Sequence, residues 1–205
     1  MITIIFWTLL AFVLGSIPFS ALLTKIFLSR DIRAVGDGNP GATNAWKAGG
    51  WLIGVAAMLL DALKGAVPIL LAQLLTGLRG WDLLPMSLAS ILGHAYSPWL
   101  KCRGGKALAT TFGVWTGLSL GEIPIILGIF LGLFLWVQDN DGWAVVFGFL
   151  GTLAHLLLNH PDLFLLSLLV VNSALVIWKY RQVLMQRPQL RVFVKQGERM
   201  ENKHA

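Results

Sequence analysis

Long apolar runs separated by short polar segments make up most of this 205-residue chain. Several of them approach the roughly 20 residues that a straight helix needs to cross about 30 Å of hydrocarbon. Tryptophans lie near many of the ends, as they do at a membrane–water interface. The pattern predicts an all-α, polytopic membrane helix bundle. The runs lie at about 3–27, 50–78, 82–99, 107–120, 123–137, 143–159 and 162–178.

The number of spans depends on how the stretch 107–137 is divided. A break at Gly121–Pro124 is favoured, because proline removes a helical donor and Glu122 is costly in hydrocarbon. With seven spans and the N-terminus outside, fourteen of the sixteen Lys and Arg residues lie on the cytoplasmic side. With six spans the split is seven inside against eight outside. The positive-inside tendency therefore predicts about seven spans. Both glycine-rich loops then face the cytoplasm, as re-entrant or connecting loops.

Composition supports lipid as the solvent. Only 13% of the residues are charged, against about 25% in soluble domains, and the mean hydropathy is +0.72. The net charge of +6 is spread between the apolar runs, which favours membrane orientation over nucleic-acid binding. The single Cys102 excludes an internal disulfide, and the first apolar run is expected to remain as an anchor. We expect one domain over 1–185 and a basic cytoplasmic tail over 186–205.

The polar loop Gly36–Asn44 is rich in glycine and asparagine. Glycine lets backbone N–H groups approach an oxyanion closely, so the loop is a candidate phosphate cradle. Asn39, Thr43 and Asn44 would donate hydrogen bonds, and Lys47 would supply charge. The alternative is a turn that only connects two helices. The spacing is not that of a Walker loop, so nucleotide hydrolysis is not indicated.

Asp61 and Lys64 interrupt an apolar run at a spacing of three, which places both on one helix face. Each costs at least ~2.5 kcal/mol within a span, so we expect both to face the bundle interior. The sequence leaves two interpretations open, a functional site and an ion pair that neutralises itself.

A second loop, Lys101–Lys106, follows His94 at the end of the third run. Gly104, Gly105 and Lys106 before a helix start would aim backbone donors and a positive helix end at an anion. His94 is a candidate general base or hydrogen-bond donor, or a structural residue. No paired histidines or cysteines have ligand spacing, so no metal site is predicted.

These motifs in this order resemble the bacterial integral-membrane glycerol-3-phosphate acyltransferases that use acyl phosphate. The matching segments, which span roughly the first 120 residues, are Gly15–Pro18, Gly36–Asn44, Asp61–Gly65, Gly93–His94 and Gly104–Thr110. The resemblance implies a multi-pass protein of the cell membrane with its active site at the cytoplasmic face. It also implies transfer of a fatty acyl group from acyl phosphate to glycerol 3-phosphate, which gives lysophosphatidic acid in phospholipid biosynthesis.

The resemblance further implies that no metal, coenzyme A or carrier protein takes part, so the expected partners are the two substrates and membrane lipid. The oligomeric state is left open. His94, Lys106 and Asn44 are the expected catalytic residues, with a donor phosphate oxygen as the favoured alternative base. The expected substrate-binding residues are Asn39, Thr43, Asn44, Lys47, Asp61, Lys64, Lys101, Gly104, Gly105, Lys106 and Thr110.

Two positions and two segments differ from the family pattern. Asp37 stands where the family usually has serine, and Lys47 where it usually has arginine. Gln138–Asp141 replaces a serine-rich turn, and the usual C-terminal signature is missing from 178–187. Two alternatives therefore stay open: a paralogue that acylates another alcohol, and a catalytically silent membrane protein that binds or moves anionic lipid or phosphate.

Overall fold

The computed structural model describes residues 1–188, 190 and 191. Within them the chain forms eight α-helices of ten or more residues, a four-residue α-helix and short 3₁₀ turns, with one isolated β-bridge between Gln138 and Leu190. The all-α prediction is confirmed. The helices are α1 Ile2–Ser16, α2 Phe19–Leu28, α3 Ala42–Thr76, α4 Leu84–Ala95, α5 Leu108–Ser119, α6 Glu122–Val137, α7 Asp141–Asn159, α8 Leu163–Lys179 and α9 Arg181–Leu184.

Two of the predicted runs have breaks that the sequence analysis missed. The run at 3–27 is interrupted after α1, where Ile17 is extended ahead of Pro18. The run expected to begin at residue 50 is already helical from Ala42, and Gly50 interrupts it with a φ of 76°. A short helical segment before Gly50 therefore carries Asn44 and Lys47.

The predicted break before Pro124 is confirmed, because α5 ends at Ser119 and α6 begins at Glu122. By length and hydropathy, three helical stretches could cross a membrane: Ile2–Leu28, Ala42–Thr76 and Asp141–Asn159. α6 and α8 are shorter apolar helices. At 1.5 Å per residue, α4 and α5 are only ~18 Å long, less than the hydrocarbon thickness. The count of seven spans stays a prediction.

The chain divides into two compact units, Met1–Pro124 and the remainder from Ile125. In the first unit, α1 packs on α4 and α3 packs on α5. A side chain at Gly113 would collide with the Ala62 carbonyl, so glycine is needed for the close approach of α5 to α3. Small residues at helix contacts are typical of membrane bundles, since they let backbones approach.

Helix α3 shows a polarity opposite to that of a soluble protein. Leu59 and Leu63 are 54% and 52% exposed, whereas Asp61 and Lys64 are buried. Outward leucine and inward charge are expected when the surroundings are hydrocarbon. The helix therefore directs its polar groups toward the centre of the first unit.

In the second unit, α7 packs on α8 and the rings of Phe134 and Phe147 stack at 4.4 Å. Asn140 caps α7 by accepting from Gly142 N, and its amide donates to the Val183 carbonyl. The segment Gln138–Asp141 thus has a structural role. The boundary at 185 stays a prediction, and residues 189 and 192–205 of the expected tail lie outside the described residues.

Candidate functional site

The first glycine-rich loop is closed by Asn44, which lies in the first turn of α3 and is buried. Its Nδ2 donates to Asp37 Oδ1 at 2.8 Å and to the Asn39 carbonyl at 2.9 Å. Gly36 has a φ of 59°, which a residue with a side chain rarely adopts. Both amide hydrogens of Asn44 are therefore used within the loop, which gives this residue a loop-shaping role; its contact with substrate stays a prediction.

Asp37 joins the two loops. Its Oδ2 lies 2.9 Å from Lys106 Nζ, while Oδ1 holds Asn44. Two residues predicted to bind phosphate from separate segments thus meet at one carboxylate. The sequence analysis had noted Asp37 only as a difference from the family pattern; the signal for its role was the excess of cations around both loops.

The electrostatics of Asp37 follow from this contact. Burial raises the pKa of Asp37, but the hydrogen bond and positive charge of Lys106, together with donors from Asn39 and Asn44, outweigh burial and hold the pKa below its ordinary value. The carboxylate is ionised at neutral pH. The pair contributes stability at neutral pH that is lost as the pH falls through this lowered pKa.

His94 lies directly beneath the second loop. A side chain at Gly105 would collide with His94 Nε2, and one at Gly104 would collide with the His94 carbonyl. Both glycines are therefore needed for the loop to lie on the histidine, whether or not they also cradle an anion. The arrangement places the imidazole against Gly105, the residue that precedes Lys106 in the chain.

A buried polar centre lies behind the loops. Lys64 Nζ is 2.7 Å from Asp61 Oδ1, so the ion-pair interpretation is confirmed. Ser20 donates to Asp61 Oδ2 at 2.9 Å, and Lys64 donates to the Ile17 carbonyl at the α1–α2 break at 2.6 Å. His94 Nδ1 is 3.7 Å from Asp61 Oδ1. One carboxylate thus faces a lysine, a serine and the histidine, which orients the imidazole with Nε2 toward Gly105.

The remaining predicted residues have distinct surroundings. Thr110 is fully buried in the first turn of α5, and its hydroxyl oxygen has no hydrogen-bond partner among the described residues. An unsatisfied buried hydroxyl fits a site that a ligand oxygen completes. Lys47 Nζ lies beside Gly36, Asn39 is half-buried, and Thr43 is exposed at the start of α3.

Lys101 differs from the other predicted residues because it lines a cavity of about 560 Å³. Sequence reasoning did not assign a site to the other basic residues of this cavity. They are Lys25, Arg30 and Arg33.

Known proteins resemble this chain over most of its length. The family model described as glycerol-3-phosphate acyltransferase matches residues 5–187, well beyond the motifs in the first 120 residues. A glycerol-3-phosphate acyltransferase of Aquifex aeolicus is 34% identical over 87% of this chain and 92% of its own length. One from Thermotoga maritima is 42% identical over 57% of this chain, and the match spans only 58% of that relative.

A solved structure gives the same result for the fold. The crystal structure of PlsY, an integral membrane glycerol 3-phosphate acyltransferase in its glycerol 3-phosphate form, aligns with a TM-score of 0.81 and 32% identity, covering 91% of this chain and 94% of that chain. The same protein was also solved in a lysophosphatidic acid form. The family expectation from the motifs is confirmed, and the silent alternative is not favoured. The chain belongs to the glycerol-3-phosphate acyltransferase family and is an integral-membrane acyltransferase.

Proposed function

We propose that the protein transfers a fatty acyl group from acyl phosphate to glycerol 3-phosphate, giving lysophosphatidic acid and inorganic phosphate. The observation that carries this proposal is the meeting of Asn44 and Lys106 at Asp37, because it brings both predicted phosphate-binding segments to one place. Two anionic substrates need two adjacent sets of donors. The family and the solved relative, which binds glycerol 3-phosphate, support the acceptor.

The bonds change as follows. The 1-hydroxyl oxygen of glycerol 3-phosphate attacks the acyl carbonyl carbon, and an ester C–O bond forms. The bond from that carbon to the phosphate oxygen breaks, and the hydroxyl proton passes to the departing phosphate. Acyl phosphate is already activated, so the protein mainly positions two anions and stabilises the charge that develops on the leaving group. Lys106, at the end of the second loop, and Lys47, just after the first, supply positive charge to the two substrates.

We place the reaction in a multi-pass protein of the cell membrane, at the cytoplasmic face. The distribution of Lys and Arg supports this orientation, since both loops lie on the side rich in positive charge. The lysophosphatidic acid product then forms next to membrane lipid.

Asp37 favours a second candidate, a related enzyme with another alcohol as acceptor. Asp37 bonds Asn44 of the first loop as well as Lys106 of the second, so its charge opposes a second phosphate where the two loops meet. An acceptor that lacks a phosphate would not meet this repulsion.

Phosphate release by the purified protein tests both candidates. We expect release from acyl phosphate only when glycerol 3-phosphate is added, with stoichiometric formation of lysophosphatidic acid. Release that requires glycerol or another uncharged alcohol would support the second candidate. Absence of release with every alcohol would contradict the proposed function.

Replacing Asp37 by serine should strengthen acceptor binding. Removing a like charge near 4 Å is worth ~1 kcal/mol in water, so we expect KM for glycerol 3-phosphate to fall about fivefold. Steady-state kinetics check this, with Asp37→Asn as the control that keeps the acceptor of Asn44 without the charge. Because the pKa of Asp37 is lowered, the carboxylate stays ionised and the effect should be constant across the neutral range. A raised KM in both variants would show that Asp37 is needed to hold the loop.

His94→Gln separates a base from a positioning residue. A general base contributes about 100-fold or more and must be deprotonated, so its rate would rise with pH through the neutral range. In the mechanism proposed here the phosphate takes the proton instead. We therefore expect His94→Gln to lose less than this in kcat/KM and to keep the shape of the pH profile. If kcat/KM rises with pH near neutrality in the original protein but not in the variant, His94 is the base.

A further inference from the structure

A cavity of about 560 Å³ lies at the end of α2, lined by residues of segments 29–33 and 99–101 with Ala21 and Lys25. Its volume is within the range of about 300–1,000 Å³ that holds small ligands. The lining residues precede the first glycine-rich loop and reach Lys101, the first residue of the second, yet Asp37, Asn44 and Lys106 do not line the cavity. Of its residues only Lys101 was expected to bind substrate, and the acyl-transfer step proposed above uses none of them.

The cavity is strongly positive. Four cationic side chains and one carboxylate line it. The carboxylate, Asp31, already accepts from Arg33: Nε lies 3.0 Å from Oδ1, and Nη2 lies 2.7 Å from Oδ2. That hydrogen bonding lowers the pKa of Asp31 to about 2. Among the described residues, Arg30 and Lys101 form no salt bridge. Lys25, Arg30 and Lys101 therefore leave a local excess of positive charge that an anion would neutralise.

The same cavity has an apolar side. Ile32 is buried beneath it, and Leu100 and Trp99 form part of the wall. Trp99 is held in place because its Nε1 donates to Ser16 Oγ at 3.1 Å, yet it is 69% exposed. Tryptophan in this position is typical of the headgroup level of a bilayer.

Helix α2 continues this apolar surface. It turns its hydroxyls Ser20 and Thr24 inward, while Ile26 and Phe27 are largely exposed. A short helix with an exposed apolar face and Lys25 in its last turn is suited to lie at the edge of a membrane. Charge alone would suit a soluble phosphate, but charge beside exposed apolar residues suits an amphipathic ligand.

We propose that this cavity binds the phosphate headgroup of an acidic membrane lipid, a fatty ester of glycerol phosphate, with Lys25, Arg30 and Lys101 as its counter-charges. The acyl chains would lie along Trp99 and the exposed face of α2. The site is separate from the Asp37–Lys106 contact, and the proposal does not depend on acyl transfer.

The test uses the purified full-length protein in an uncharged detergent. The probes are dioleoyl phosphatidic acid, dioleoyl phosphatidylcholine and inorganic phosphate. A ligand that binds only the folded state raises the melting temperature with concentration. We expect phosphatidic acid to do so well below the concentrations at which the other two act, and native mass spectrometry should detect one retained phosphatidic acid molecule.

The variant Lys25→Gln/Arg30→Gln should weaken phosphatidic acid binding about tenfold or more, since each basic residue near lipid headgroups contributes measurably to attraction. The matched control is Arg79→Gln/Arg181→Gln, which removes the same number of exposed positive charges elsewhere and should bind normally. Melting without lipid reports whether each variant is folded.

Three results would overturn the proposal. Equal binding by the Lys25→Gln/Arg30→Gln variant would place the lipid elsewhere. If inorganic phosphate raised the melting temperature as much as phosphatidic acid, the cavity would be a site for free phosphate. If phosphatidylcholine did so, the negative charge of the headgroup would not contribute to binding. Each readout is independent of enzyme turnover, so failure here is distinguishable from failure of the proposed acyl transfer.

Discussion

Lys106→Ala is expected to lower kcat/KM for acyl transfer by about 100-fold or more, because one preorganised donor to developing charge typically contributes that much. The variant should still fold. Lys106 is bound to Asp37, and that carboxylate is 47% exposed in its side chain, so water can solvate it once the ammonium is removed. Phosphate-release kinetics and gel filtration in detergent measure the two effects separately.

Two further variants make this result specific. Arg79→Ala removes a positive charge from a different loop and should retain wild-type turnover. In the double variant Asp37→Ser/Lys106→Ala the exposed carboxylate is also gone. If the loss in Lys106→Ala came only from an unmasked Asp37 repelling phosphate, the double variant would recover. We expect it to stay inactive; recovery, or full activity of Lys106→Ala, would contradict the role of Lys106.

Asp61→Ala is expected to cost about 3–5 kcal/mol of stability, because it leaves the Lys64 ammonium buried without its carboxylate. The side chains of this pair are only 2% and 3% exposed, so water cannot replace the lost partner. In the same step Ser20 loses its acceptor and His94 loses the carboxylate that lies 3.7 Å from its Nδ1. Denaturation of the detergent-solubilised protein measures the change in the free energy of unfolding.

The controls separate charge from packing. Asp31→Ala removes the acid of an exposed ion pair with Arg33 and should change stability little. The double variant Asp61→Leu/Lys64→Met removes both charges and should recover much of the loss, since apolar residues of similar volume often replace a buried pair without cost. A double variant as unstable as Asp61→Ala would show that the cost does not come from the unpaired charge.

Sequence patterns located most of the helices and brought out one buried ion pair. Apolar runs predicted the helices, and the proline and glutamate near residue 122 predicted the break between α5 and α6. The spacing of Asp61 and Lys64 predicted their ion pair, because residues three apart share a helix face. Local periodicity is sufficient for these features since each depends on neighbours within one or two turns.

The features that sequence did not predict depend on tertiary contacts or on single backbone angles. Glycine at 49 and 50 and proline at 18 permit the breaks at Gly50 and Ile17, but the apolar periodicity on either side does not show that the helix stops there. The contact of Asp37 with Lys106 joins segments that are far apart in the chain. No periodicity indicates which cation a loop carboxylate selects, so the meeting of the two loops required the three-dimensional structure.

The bond from Lys64 to the Ile17 carbonyl makes the first helix more than a tether to the bilayer. Ser16 and Ile17, at the end of that helix, accept from Ser97, Trp99 and Lys64, which lie on segments next to His94 and the second loop. Trimming the N-terminal helix would remove these acceptors from the interior of the first unit.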